Sequence, residues 1–198
     1  MGTAHGPSSI TAGLSPLAHD LCDHALLRGS FTLRSGLTSD RYFDKYRVST
    51  HPGLLARVAN ALNELIERAC PDAEVIVAPE LGAVPIATAT ALARTLPFVI
   101  IRGQRKAYGT SHQIEGVVTP GQHGVLLEDV VTSGGAAIEA LHAARDAGLI
   151  IDTSICILDR DGGGADALAR EGAPLHALMH ARELDAAYDI GLGMPAAQ

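Results

Sequence analysis

Between Glu74 and Leu158 the chain repeats one pattern: a short, wholly apolar run, then a stretch with apolar residues at helical spacing, then another apolar run. The expected strands are 74–78, 98–102, 124–127 and 151–158, and the expected helices are 84–94 and 136–147. Strands that never alternate with polar residues cannot face water on either side, so they need a parallel sheet covered by helices on both faces. The expected fold is therefore α/β, with ligands at the carboxyl ends of the strands. Ahead of this repeat, residues 50–69 place Leu54, Leu55, Val58, Leu62, Leu65 and Ile66 on one helical face between Pro52 and Pro71, which predicts a further helix packed on the core.

The 198 residues suit one domain, with 47% of them hydrophobic and 19% charged. No apolar run approaches the roughly 20 residues that a membrane span requires. Residues 1–16, MGTAHGPSSITAGLSP, are small and polar without a basic or apolar export signal and read as a mobile tail; residues 17–198 form the expected domain. Cys22, Cys70 and Cys156 are odd in number and widely spaced, which suggests neither disulfides nor a zinc site and fits a cytoplasmic protein. The net charge of −7 argues against a nucleic-acid partner, because binding a phosphate backbone depends on clustered Lys and Arg. A small-molecule partner held by a local site is favoured.

The chemistry concentrates in residues 125–135, VLLEDVVTSGG. A strand running into Thr132, Ser133, Gly134 and Gly135 before a helix lets backbone N–H groups converge on an anion at the helix start. Glu128 and Asp129 directly before this turn would repel a bare phosphate, so they must face sugar hydroxyls or a magnesium-bound group. A phosphorylated sugar satisfies both halves. An isolated acidic pair could instead simply end a strand, and TSGG could be an ordinary turn. The patterns GxxxxGK[ST] and GxGxxG, which would signal other nucleotide sites, are absent. Residues 31–46, FTLRSGLTSDRYFDKY, alternate bulky and polar groups about a Ser-Gly turn, which predicts a hairpin outside the main sheet.

The VLLEDVVTSGG segment resembles the phosphoribosyl pyrophosphate (PRPP) signature of the type I phosphoribosyltransferases, and four further segments resemble the orotate-using members of that family. The resemblance implies their fold, with a small hood to which residues 17–46 contribute, and transfer of phosphoribose from PRPP to orotate in pyrimidine biosynthesis. It assigns PRPP binding to Glu128, Asp129, Val130, Val131, Thr132, Ser133, Gly134, Gly135 and Ala136. APELGAVPIA, 78–87, is similar to the diphosphate loop and implicates Glu80, Leu81 and Gly82, with a cis peptide between Glu80 and Leu81.

RGQRKAYGTSHQIEG, 102–116, is similar to the family's mobile catalytic loop, which reaches into a neighbour's site across a homodimer interface. It adds Arg102, Lys106 and Tyr108, with Lys106 and Asp129 as the catalytic pair. The 31–46 segment and LDRDGGG, 158–164, imply orotate contacts from Arg34, Tyr42, Phe43, Thr132 and Arg160. An arginine fork suits a planar carboxylate, which supports Arg160 independently. Magnesium is implied as the cofactor, held mainly through PRPP.

Three positions depart from the family pattern: Gly103 and Gly82 stand where relatives often carry lysine, and Tyr108 stands where they carry histidine. A tyrosine keeps a donor but loses the titratable imidazole. Two alternatives stay open, a phosphoribosyltransferase for another base and a regulator that senses the sugar diphosphate while binding nucleic acid.

Overall fold

The structure is a computed structural model that describes residues 15–32, 36, 38–103 and 113–190, except for the side chains of 186–190. Its centre is a six-stranded sheet in the order β5-β4-β3-β6-β7-β8, made of β3 (Val75–Pro79), β4 (Phe98–Ile101), β5 (Ile114–Glu115), β6 (Gly124–Val131), β7 (Ser154–Asp159) and β8 (Leu175–His180). All neighbours pair in parallel except β5, which is antiparallel at one edge. The α/β reading is therefore correct. The apolar runs are buried because helices cover both faces. One face packs on α1 (Pro16–Ala25), α3 (Pro52–Ala69) and α4 (Ala83–Arg94), and the other on α5 (Gly135–Asp146) and α6 (Gly164–Arg170).

The strand order dictates where a ligand can sit. From β3 the chain crosses through α4 to β4 on one side; from β6 it crosses through α5 to β7 on the other. Right-handed crossovers in opposite directions put their helices on opposite faces. Between β3 and β6 the two connections diverge, and a crevice opens at the strands' carboxyl ends. The loop 80–82 after β3 and the turn 132–134 after β6 are its walls.

Several boundaries differ from the sequence expectation. The hairpin starts earlier and ends earlier than 31–46: β1 (Leu26–Thr32) pairs with β2 (Thr38–Phe43) in a separate two-stranded sheet. Asp44 then caps α2 (Lys45–Ser49) by accepting from the Tyr46 N–H, which turns Lys45 and Tyr46 into helix. Residues 15 and 16 belong to the fold and not to a tail, because Ser15 accepts from the Ala18 N–H and Pro16 opens α1; residues 1–14 lie outside the described residues. Strand β6 runs on to Val131, so both acids lie within it, and β7 begins at Ser154, three residues later than expected. Of the stretch from Arg182 on, which lacks a sequence signal, residues 182–190 lie within α7 (Ala181–Ile190), where the Glu183 carboxylate accepts from the His180 N–H, and residues 191–198 lie outside the described residues.

No helix among the described residues is long and apolar enough to cross a membrane. The three cysteines are free and buried, and burial pushes all three thiols above their usual range. They serve as small core residues.

Leu127 lies at the middle of β6 with no solvent exposure, packed in the cluster beneath α3 and α4. Leu127→Ala should lower unfolding free energy by about 3 kcal/mol through lost burial and a residual cavity. Urea denaturation at an unchanged m-value would show this.

Candidate active site

At the carboxyl end of β6, side-chain alternation sets the two acids apart, with Asp129 on the side of Leu127 and Glu128 on the side of Leu126. Both are buried. Asp129 Oδ1 accepts from the Val130 N–H at 2.6 Å, and Oδ2 faces the Lys45 ammonium at 2.7 Å. Burial works against the charged form of Lys45, but the Asp129 carboxylate, with Tyr46 and Glu128 behind it, holds the lysine pKa above its ordinary value. Glu128 has no such cation. Burial first, and the charge of Asp129 second, push its carboxyl up to about 8 against the weaker pull of Lys45 and a backbone hydrogen bond. Glu128 is thus largely protonated at neutral pH.

The turn that follows is open to a ligand. Thr132 and Ser133 are exposed, as are Gly135 and Ala136, while Val130 is half-buried and Val131 is buried. Gly134 adopts φ +82° and no side chain caps α5, so the first N–H groups of that helix face the turn. The space for this geometry is made by a second glycine loop. Gly164 N–H donates to Thr132 O at 2.8 Å, and Arg160 N–H donates to Val131 O at 2.8 Å. A Cβ on Gly164 would lie 2.7 Å from Thr132 O, and one on Gly162 would lie 3.0 Å from the same oxygen. The GGG of residues 162–164 therefore lets two backbones interlock, and it seats half-buried Arg160 beside the turn.

Across the crevice, Glu80 and Leu81 are joined by a cis peptide and are both exposed. Gly82 is buried beneath them. Glu80 N–H donates to Ile101 O at 2.8 Å, and its carboxylate accepts from the Gly103 N–H at 3.0 Å. The backbone N–H of residue 103 thus ties the two loops. Arg102 points to the edge strand, with Nη1 3.7 Å from Glu115 Oε1, and its N–H bonds to Gln113 O at 2.8 Å.

Phe43 is buried in the core, whereas Tyr42 is exposed on the hairpin with its ring 5.6 Å from that of Phe31. Lys106, Tyr108 and Arg34 lie outside the described residues. Lys45 is the site residue that sequence reasoning passed over. Asp44, directly after β2, caps the turn into α2 and places Lys45 at the start of that helix.

The described residues contain one group of three metal-capable side chains, Asp159, Asp161 and His180, at the carboxyl end of β7, where Asp159 pairs in register with Val131. The acid pair offers hard oxygen donors of the kind magnesium takes. With Asp129 already facing an ammonium, they suit a cation carried in by an anionic ligand better than a dedicated cage.

An anion turn, an acid pair and a facing loop at a sheet reversal define a phosphoribosyltransferase, and the family described as "Phosphoribosyl transferase domain" matches residues 46–168. The orotate phosphoribosyltransferase of Natronomonas pharaonis is 41% identical over 156 residues, 79% of this chain and 87% of that protein. The orotate phosphoribosyltransferase structure from Aeropyrum pernix has a TM-score of 0.79 at 28% identity, covering 88% of this chain and 98% of that one. The Mycobacterium tuberculosis orotate phosphoribosyltransferase in complex with PRPP has a TM-score of 0.72 at 29% identity, covering 85% and 96%. The chain belongs to the orotate phosphoribosyltransferase family.

The state of Glu128 can be read from stability against pH. Its folded pKa of about 8 exceeds the ordinary 4.5, so between these values the folded protein keeps a proton that the unfolded chain releases. The contribution of Glu128 is full below 4.5 and is lost as pH rises towards 8. The melting temperature of Glu128→Gln relative to the unsubstituted protein should therefore climb across this window and level off above it; a flat difference would mean that Glu128 titrates normally.

Proposed function

We propose that the protein transfers the phosphoribosyl group of PRPP to orotate, giving orotidine 5'-phosphate and diphosphate in pyrimidine biosynthesis. The observation that carries the reading is the buried acid pair at the end of β6 running directly into the exposed, uncapped turn before α5, with the 80–82 loop facing it. The 5-phosphate sits on Thr132, Ser133, Gly134, Gly135 and the start of α5. Glu128 and Asp129 lie where the ribose hydroxyls would fall, and a protonated Glu128 can donate as well as accept. The diphosphate reaches across to Glu80, Leu81 and Gly82. That the Mycobacterium tuberculosis relative was solved with PRPP supports this ligand.

In the reaction the bond from the anomeric carbon to the diphosphate oxygen breaks, with its electron pair leaving on the diphosphate. A new bond forms to the orotate ring nitrogen, which gives up its proton. Positive charge on the ribose in between is met by the Asp129 carboxylate. Magnesium bound to the diphosphate would supply neutralising charge as that group departs. Arg160, which the glycine interlock seats next to the turn, takes the orotate carboxylate, with Arg34 and Tyr42 on the hood side. Lys106, with Arg102 and Tyr108, comes from the 102–116 segment and closes over the diphosphate, excluding water that would otherwise hydrolyse PRPP.

This reading includes a cytoplasmic homodimer in which that segment serves the neighbouring site. The three buried free thiols are in keeping with a reducing compartment.

Orotate absorbance should fall when PRPP and magnesium are added to the purified protein, while hypoxanthine and uracil should not serve as acceptors. Arg160→Ala should raise the KM for orotate roughly tenfold to a hundredfold, the cost of leaving a carboxylate without its partner. A silent orotate assay with a working hypoxanthine assay would reassign the base. For the shared loop, mixing Arg160→Ala with Lys106→Ala subunits should restore part of the activity, and no recovery would count against a loop acting in trans.

A further inference from the structure

The ammonium that meets Asp129 comes from none of the loops in the reaction above. Lys45 opens α2, directly after the hairpin, and its side chain is 35% exposed while that of Asp129 is 4% exposed. Lys45 is the cation that pairs with Asp129, while Arg102 is turned to Glu115 and the Arg160 backbone N–H bonds to Val131 O. Lys45 therefore stands at the boundary between the buried carboxylates and the open crevice.

Its position relative to the opposite wall is equally specific. A Cβ built on Gly82 would overlap Asp129 Oδ2 and would lie 2.7 Å from Lys45 Nζ. The ammonium thus occupies the volume into which any side chain at residue 82 would grow. The 80–82 loop contributes no cationic side chain of its own, since it consists of Glu80, Leu81 and Gly82. A diphosphate seated there would carry several negative charges onto a wall that already bears the Glu80 carboxylate. A lysine has three N–H donors, and the contact with Asp129 uses one. The others are available to an anion that enters from the exposed side.

We propose that Lys45 is a diphosphate-facing cation of this site, holding Asp129 with one N–H beside Gly82 and donating to the diphosphate of the bound sugar from its exposed side. This inference rests on the proposed phosphoribosyl transfer. It also makes Gly82 and Lys45 a matched pair, in which the missing side chain of one is the condition for the position of the other. Because α2 and the 80–82 loop belong to one chain, this cation acts within a subunit, whatever the 102–116 segment does.

The test compares two fragments of the substrate. Inorganic pyrophosphate with magnesium, and ribose 5-phosphate, are titrated separately by calorimetry into the full chain and into Lys45→Met, whose melting temperature is checked first. Lys45→Met should weaken pyrophosphate by about tenfold or more, the scale of one charge-assisted hydrogen bond, and should change ribose 5-phosphate by less than about threefold. The kcat/KM for PRPP should fall with the pyrophosphate affinity. Lys45→Arg should recover part of the pyrophosphate affinity. Should Lys45→Met misfold, Lys45→Gln keeps a polar side chain without the charge and should weaken pyrophosphate selectively as well.

Unchanged pyrophosphate binding in these variants would overturn the inference, as would equal loss of both ligands, which would make Lys45 a support for Asp129 alone. An unsubstituted protein that binds neither fragment would overturn the phosphoribosyl transfer itself, and the role of Lys45 with it.

Discussion

Two carboxylates on consecutive residues of a buried strand cannot both be ionised without compensation, and the site is organised around that constraint. Each acid is satisfied differently. Asp129 is met by an ammonium from α2, whereas burial and the neighbouring Asp129 push the Glu128 carboxyl up to about 8. The arrangement draws the hairpin end of the chain onto the carboxyl edge of the sheet, since the lysine arrives only if Asp44 turns β2 into α2 at the right residue. A local electrostatic requirement thereby fixes a long-range feature of the fold, the approach of residues 45 and 129.

The second organising element is the absence of side chains. Gly82 leaves room for the ion pair, and Gly162 and Gly164 let the loop after β7 lie against the turn after β6 at backbone distance. Neither glycine of the interlock owes its place to backbone freedom alone: Gly164 sits where any Cβ would meet Val131 and Thr132. The sheet provides the platform, because the reversal of direction between β3 and β6 parts the connections there and nowhere else. Rigid strands thus carry three loops whose mutual fit comes from small residues.

Much of this could be read from the sequence, and the exceptions have physical causes. The parallel sheet was legible because a strand buried on both faces shows an unbroken apolar run, and β3 and β6 do so. The anion turn was legible because TSGG follows such a run. The cis bond between Glu80 and Leu81 came from family likeness and not from any local signal. Helices α1 and α6 and strand β8 were missed for a different reason. Helix α6 and strand β8 are short and partly exposed, and the buried face of α1 is mostly small residues, Ala18, Cys22 and Ala25, which make a weak apolar stripe. The boundary of the hairpin was misplaced because Leu26 and Leu27 look like core helix until their pairing with Phe43 and Tyr42 is known. Lys45 was overlooked because nothing in FDKYR marks which of its charges points inward.

The segment from 104 to 112 leaves and re-enters the fold at a footing that is closed on itself. Arg102 and Gln113 are hydrogen-bonded to each other through backbone and side chain, β5 pairs with β4 just beyond, and Gly103 is fastened to Glu80. Such a clasp separates what happens in the intervening residues from the register of the sheet. Chain length and composition there could drift between lineages, or be exchanged in chimaeras, at little cost to the scaffold. The same clasp joins the exit from β4 to Glu80, so the edge of the sheet and the 80–82 loop share an anchor.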